Sequence, residues 1–320
     1  MKVFVAGATG AMGRQLVPRL VRAGHEVHAM TRSESKQAML REMGAVPVVA
    51  DALSAEQVAA SVATAQPDVI VHQLTAIGPM DFRHFDRGFA QTNRLRTEGT
   101  DHLLSAGQAV GVKRFVAQSF FAGYDRTASM VKTEDDSFGA TPPPGMSETV
   151  GAIKHVESAV AAATWTNGIV LRYGGFYGPH TSLGVGGEQT LAVQQRKMPL
   201  VGDGAGVWSF IHIADAAEAT VAAVERGAPG VYNIVDDEPA AVGTWLPYLA
   251  EVLGAKKPIR VPVWLARLVA GETGVVMMTE LRGASNAKAK AGLGWAPAHA
   301  TWREGFRELV AREAARAGAA

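Results

Sequence analysis

The sequence predicts an α/β chain built as a doubly wound parallel sheet, with helices on both faces and a smaller C-terminal lobe. Three observations carry this. Strand-like apolar runs alternate with amphipathic segments through the first half, glycines at positions 7, 10 and 13 follow the first run at once, and the periodicity loosens after residue 175. Glycine is also abundant: 35 of 320 residues, about 11% against a usual ~7%, so many backbone positions need positive φ or close approach.

Taken in order, strands are expected over 2–6, 25–30, 46–50, 68–72, 113–118 and 167–172. A helix over 11–23 opens in the glycine cluster and stops near Gly24. Another spans roughly 87–110, where Leu95, Gly99, Leu103, Ala106 and Val110 recur at helical spacing and form a face for packing on the sheet. Prolines 142–144 and the acidic stretch before them make 122–147 a long loop, either flanking a pocket or serving as a solvated connector. Val231–Val235 reads as a late strand. The expected division is a dinucleotide-binding unit over 1–175, to which 207–238 returns, and a substrate lobe made of 176–206 and 239–320.

Composition narrows the partners. Lys and Arg total 31 and Asp and Glu 30, a net charge of +1, too little for the electrostatic affinity of a nucleic-acid binder. A hydrophobic fraction of 48% with 19% charged residues fits a folded enzyme. There is no cysteine, which removes disulfides, thiolate metal sites and a Cys nucleophile. No run of eighteen apolar residues occurs, and Met1–Val5 is strand-like instead of a signal peptide, so a cytoplasmic protein with no membrane partner is expected. The histidines show no metal-ligand spacing, and no metal is expected.

Gly7, Gly10 and Gly13 sit at the first strand-to-helix turn, with Thr9, Ala11 and Met12 between them. Glycines there permit the tight turn and let the backbone approach a pyrophosphate, while free N–H groups and the helix dipole attract the anion. This is the Rossmann arrangement. A site for NAD places a carboxylate about 20 residues on, at the end of the second strand. Here that strand ends Thr31-Arg32, and Arg32 is suited to fork onto a 2′-phosphate, with Arg14 as a second cation; the expected cofactor is NADP in preference to NAD. Asp51 either meets the adenine amino group or caps the following helix.

The glycine spacing, Asp51 with Ala52 and Leu53, and His72-Gln73-Leu74-Thr75-Ala76 resemble the extended short-chain dehydrogenase/reductase superfamily, of the nucleotide-sugar epimerase/dehydratase type. Asn93 with Glu98–Leu104, Arg172 with Tyr177-Gly178-Pro179, Phe210–Asp215 and Leu293-Gly294-Trp295 extend the resemblance over nearly the whole chain. It implies that Leu74, Thr75, Ala76, Asn93, Tyr173 and Gly174 also approach the cofactor, and it implies a homodimer through the helices flanking the active site. The family pairs a tyrosine with a lysine four residues later. Lys154 matches the lysine, but Val150 stands at the tyrosine position; Phe120 occupies the family's hydroxyl position, with Ser119 one residue earlier; and Gly175 replaces an asparagine used toward nucleotide-sugar pyrophosphates. The catalytic candidates are therefore Lys154, with Tyr124 or Ser119 as replacement proton donor; the alternatives are that the Tyr124 ring packs beneath the loop, the favoured reading, and that the Ser119 hydroxyl bonds backbone at the strand end. The expected function is an NAD(P)-dependent oxidoreductase acting on a small carbonyl- or hydroxyl-bearing metabolite, with a redox-neutral epimerase/dehydratase or a non-catalytic NADP-sensing protein as alternatives.

Overall fold

In the computed structural model, which describes residues 1–78 and 81–317, the chain runs β1 (Lys2–Ala6), α1 (Ala11–Arg22), β2 (Glu26–Thr31), α2 (Gln37–Glu42), β3 (Val46–Val49), α3 (Ala55–Ala65), β4 (Val69–His72), α4 (Phe85–Val110) and β5 (Arg114–Phe120). It continues through β6 (Val131–Lys132), α5 (Ser147–Ala162), β7 (Asn167–Tyr173), β8 (Gly175–Tyr177), α6 (Glu188–Gln194), β9 (Leu200–Val201), β10 (Val207–Trp208), β11 (Phe210–His212), α7 (Ile213–Glu225) and β12 (Gly230–Ile234). The last elements are β13 (Ala240–Ala241), α8 (Val242–Val252), β14 (Arg260–Val261), α9 (Val263–Thr279), β15 (Gly283–Ala284), α10 (Ala287–Leu293) and α11 (Trp302–Ala317). The final residues of the lobe expected over 239–320, at 318–320, lie outside the described residues.

Seven strands form one parallel sheet in the order β12-β7-β5-β4-β1-β2-β3. All six strands expected in the first half are in it, and the late strand near 231–235 joins as its edge. The order reverses direction at β1 and β4, which opens a crevice at the carboxyl ends of these strands. One face packs α1 and α7 through Leu16, Val17, Leu20, Ala216, Ala219 and Ala223. The other packs α3, α4 and α5, where Leu95, Leu103 and Ala106 of the anticipated α4 stripe are buried with Val58, Val62 and Val156.

A third apolar cluster forms around Trp208, Phe210, Trp245, Trp302 and Phe306 and runs into Phe121, Tyr124 and Val150 beside α5. The C-terminal half therefore shares this core with the segment preceding α5. That segment, anticipated as a loop over 122–147, is irregular except for β6, which pairs with β15. No helix of the described residues is long and apolar enough to cross a membrane.

Candidate functional site

At the carboxyl end of the sheet a cleft of about 260 Å³ is lined by Gly7, Thr9 and Gly10 from the first turn and by Met30, Thr31, Arg32, Ser33 and Lys36 after β2. Ala50 and Ala52 after β3, Gln73, Leu74 and Thr75 after β4, and Leu95 of α4 complete it. The three glycines differ in what requires them. Gly7 has φ 93°, and a Cβ there would lie 2.4 Å from the Gln73 carbonyl oxygen; at Gly13 a Cβ would lie 2.3 Å from the Ala8 carbonyl. Those two let β1, α1 and the β4 turn approach one another. Gly10, the residue before α1, has ordinary φ, and its Cβ would meet only the Gly7 oxygen, at 3.5 Å. Nothing among the described residues needs glycine there, so the open space in front of the helix N-terminus is room for a ligand, with the geometry and partial positive charge that suit a pyrophosphate.

The opposite wall is held by side chains. Buried His72 donates from Nε2 to the Thr100 hydroxyl (3.0 Å) and accepts the Leu74 N–H at Nδ1 (3.2 Å). Burial, with the nearby Arg96 cation adding to it, pushes this imidazole down to about 4, so it is a neutral clamp. Gln118 Nε2 donates to the Leu74 carbonyl (3.1 Å), and Ala76 N–H donates to Thr92 Oγ1 (3.0 Å). The Gln73 side-chain oxygen is buried without a partner. Arg32, Ser33 and Lys36 gather where an adenosine ribose would end, and no Asp or Glu lines the cleft. Lys36 was missed from sequence; its signal is a second cation four residues after Arg32, on the turn that follows β2.

Other expected cofactor residues are placed differently. Asp51 does not line the cleft: its Oδ1 accepts the Leu53 N–H (3.0 Å), while Ser54 caps α3. Ala52 lines the cleft, with its carbonyl taken by His102 Nδ1 at 2.9 Å, and Leu53 is half-buried against the α3/α4 core. Met12 is buried in the sheet core, and Ala11 packs against that core. Asn93 ties α4 to α5 through Thr149 Oγ1 (3.2 Å) and leaves its own Oδ1 buried and unpaired. The Tyr173 ring points into the core, where its hydroxyl is shared by Gln73 (3.0 Å) and Thr220 (2.6 Å); burial pushes its pKa upward. Gly174 is required by the chain beside it, since a Cβ would lie 2.8 Å from the Ser209 carbonyl.

The proton-donor candidates are occupied too. The Tyr124 hydroxyl donates to Asn233 Oδ1 (2.8 Å) and accepts from Arg172 Nη1 (2.9 Å), and its ring packs edge-on against Phe138. Burial raises this phenol to about 12 despite the neighbouring guanidinium, the wrong direction for an acid working near neutrality. Ser119 Oγ donates to Glu157 Oε1 (2.6 Å), and Glu157 also takes a two-pronged pair from Arg172 at 2.8 and 2.6 Å. The packing alternative for Tyr124 is therefore what the fold adopts, and Ser119 is absorbed by the Arg172–Glu157 ion pair, whose glutamate carries no distinguishing signal in the sequence.

Lys154 does not line the cleft; it donates from Nζ to the Gly139 carbonyl (3.1 Å). Gly139, at φ 67°, is pressed so close that a Cβ would lie 2.6 Å from Lys154 Cδ and 2.9 Å from Val150 Cγ1. Val150 is buried beneath it. The surface where a tyrosine side chain would project is thus filled by the segment around Gly139, and Phe120 beside it packs against Phe121.

Among the described residues His212, Asp215 and His299 come together, a grouping hidden in sequence by the distance between positions 215 and 299. The two imidazoles are stacked 3.9 Å apart at 26°, and Asp215 Oδ2 accepts both the ring and backbone N–H of His299 (2.8 and 2.9 Å). Near-parallel rings cannot both aim their in-plane lone pairs at one ion. The cluster is closed by its own hydrogen bonds.

A doubly wound sheet with a glycine-lined anion cradle at its switch point defines a dinucleotide-binding α/β protein. More particularly, residues 3–235 match the NAD dependent epimerase/dehydratase family, and the chain belongs to it. A Streptomyces 3-diazoavenalumate denitrifying reductase is 43% identical over 307 residues, covering 96% of this chain and 99% of that protein. The fold is shared with UDP-glucose 4-epimerase of Thermotoga maritima (TM-score 0.79, 21% identity, 99% of both chains). It is also shared with the human epimerase family protein SDR39U1 bound to NADPH (TM-score 0.75, 22% identity, 97% of this chain and 99% of that one). The family and the reductase relative make this an enzyme of the oxidoreductase/epimerase kind that uses a nicotinamide cofactor.

Proposed function

We propose that the chain is an NADPH-dependent reductase that replaces a diazo group on a small aromatic substrate by hydrogen, releasing dinitrogen. The observation that carries this reading is the apolar pair Val150 and Phe120, at the two positions where the family resemblance puts hydroxyl proton donors. Reduction of a ketone consumes one hydride and one proton. Replacement of a diazonium group by hydrogen consumes one hydride and releases dinitrogen, with no net proton uptake. A site stripped of its tyrosine and its hydroxyl suits the second stoichiometry, and the name of the 43% identical relative supplies the substrate class.

Bound NADPH supplies the hydride. Gly10 and the start of α1 would hold its pyrophosphate, and Thr9, Leu74 and Thr75 would line its path. Arg32 and Lys36 would receive the 2′-phosphate. Lys154, the lysine that the family resemblance assigns to this role, would hold the nicotinamide ribose, which requires it to exchange the Gly139 carbonyl for that partner.

Tests follow for each part. NADPH oxidation with an aryl diazonium acceptor should release dinitrogen in equal amount, above a heat-inactivated control, while ketone acceptors remain unreduced; turnover of ketones alone would overturn the reading. Tyr124→Phe should leave this turnover nearly unchanged instead of imposing the ~10²–10⁴-fold loss that follows removal of a general acid. Arg32→Ala should raise the Kd for NADPH roughly 10- to 100-fold, the range for a lost charge-assisted contact, and leave NADH binding as it was. Equal losses for both nucleotides in calorimetric titration would take Arg32 out of the 2′-phosphate site.

A further inference from the structure

The first half of α9 carries an apolar face that the fold leaves uncovered. Trp264 is 64% exposed, Leu268 63% and Val269 68%, with Leu265 beside them and Ile259 just before the helix also exposed. At 3.6 residues per turn these four helical positions span an arc of about 140°, and Ala266, outside that arc, is buried in the protein. The other exposed large apolar residues lie scattered along the chain, whereas these five fall within eleven consecutive positions. A cluster of this kind marks an interaction surface.

Its chemistry selects the partner. Lys256, Lys257 and Arg260 precede the helix and are exposed, and none of them is in an ion pair among the described residues. Arg196 joins them by donating from Nε to the Lys257 carbonyl (3.1 Å). Arg267 flanks the apolar arc and is paired with Glu272. Cations bordering an apolar ridge repel a second copy of the same face, which disfavours a two-fold self-contact. Tryptophan and aliphatic side chains on one side with lysine and arginine around them are the make-up of a helix lying in a lipid interface.

We propose that the Lys256–Val269 segment docks the protein on an anionic lipid surface, with Trp264, Leu268 and Val269 entering the headgroup and acyl boundary. From Val263 to the non-helical Gly271 (φ 71°) the helix is two turns, about 12 Å, so it lies on the bilayer and cannot span it. Three unpaired cations near such a surface together strengthen partition on the order of 100-fold.

Flotation of the full chain with vesicles of phosphatidylcholine alone, or of phosphatidylcholine mixed with phosphatidylglycerol, tests this. The protein should float with the mixed vesicles and stay behind with the neutral ones. Combined Lys256→Gln, Lys257→Gln and Arg260→Gln should remove roughly that 100-fold, and combined Trp264→Ser, Leu268→Ser and Val269→Ser should abolish flotation; all are exposed positions, and circular dichroism confirms that the variants fold. Trp264 is the one exposed tryptophan of the six, so its emission should shift to the blue with mixed vesicles and the shift should vanish in Trp264→Phe. Equal recovery with neutral vesicles, flotation that survives the serine variant, or protein that stays in solution with both lipids and instead self-associates or captures an acidic protein through this face would each overturn the proposal.

Discussion

Replacing Gly7 with alanine abolishes dinucleotide binding and lowers the unfolding free energy by roughly 2–5 kcal/mol, the sum of placing an L side chain at φ 93° and driving a methyl into the Gln73 backbone. The informative partner is Gly10→Ala. Its methyl would meet only the Gly7 oxygen, at ordinary contact distance, so stability should change little while the pyrophosphate loses its space. Urea unfolding and NADPH titration of the two variants separate the roles. If Gly10→Ala binds NADPH as the parent does, the cradle in front of α1 is not where the pyrophosphate sits.

Asp236→Asn should stabilise the protein on the alkaline side by on the order of 3–5 kcal/mol. Asp236 follows β12 and is buried; its Oδ1 accepts the Glu238 N–H (3.2 Å) and its Oδ2 is unpaired. Burial pushes its carboxyl up to about 8 from 3.8. Between those values the folded chain holds a proton that the unfolded chain has released, so stability falls as pH rises through that window. Asparagine has nearly the shape of the protonated acid and carries no charge to bury. Parent and variant should therefore have similar unfolding midpoints near pH 4 and diverge steadily toward pH 8, the variant being the more stable. A difference that stays flat with pH would show that Asp236 is ionised in the fold. His72, pushed down to about 4, acts with the opposite sign: folding excludes a proton from it, so stability falls as pH drops from 6.5, in parent and variant alike.

The sheet and its cofactor end were legible in the sequence because both rest on short-range signals. Buried parallel strands read as apolar runs, and α4 shows its buried stripe at helical spacing. The glycine loop is contiguous, and its position after β1 announces an anion site whatever the rest of the chain does. The absence of a carboxylate after β2 was also legible, and it pointed to Arg32, which lines the cleft. The chemistry beyond the nicotinamide was not legible, because it depends on which partners long-range packing supplies. The sequence leaves Tyr124 and Ser119 open between proton donation and a structural role, and it is β7, β12 and α5 that bring Arg172, Asn233 and Glu157 against them. Asp51, Asn93 and Tyr173 kept their family positions in the chain but turned their side chains to neighbouring backbone, to α5 and to the core.

By itself, then, the sequence determined the parallel α/β fold, the dinucleotide cradle and the presence of an apolar valine four residues before Lys154, each a matter of residue type at a fixed local spacing. Only the tertiary structure decided that Gly139 covers Val150, that the remaining hydroxyls are held by an ion-paired network, and that the apolar arc of α9 faces solvent. A buried helix face and an exposed one have the same composition, and only the packing of Ala266 inward shows which way Trp264, Leu268 and Val269 point.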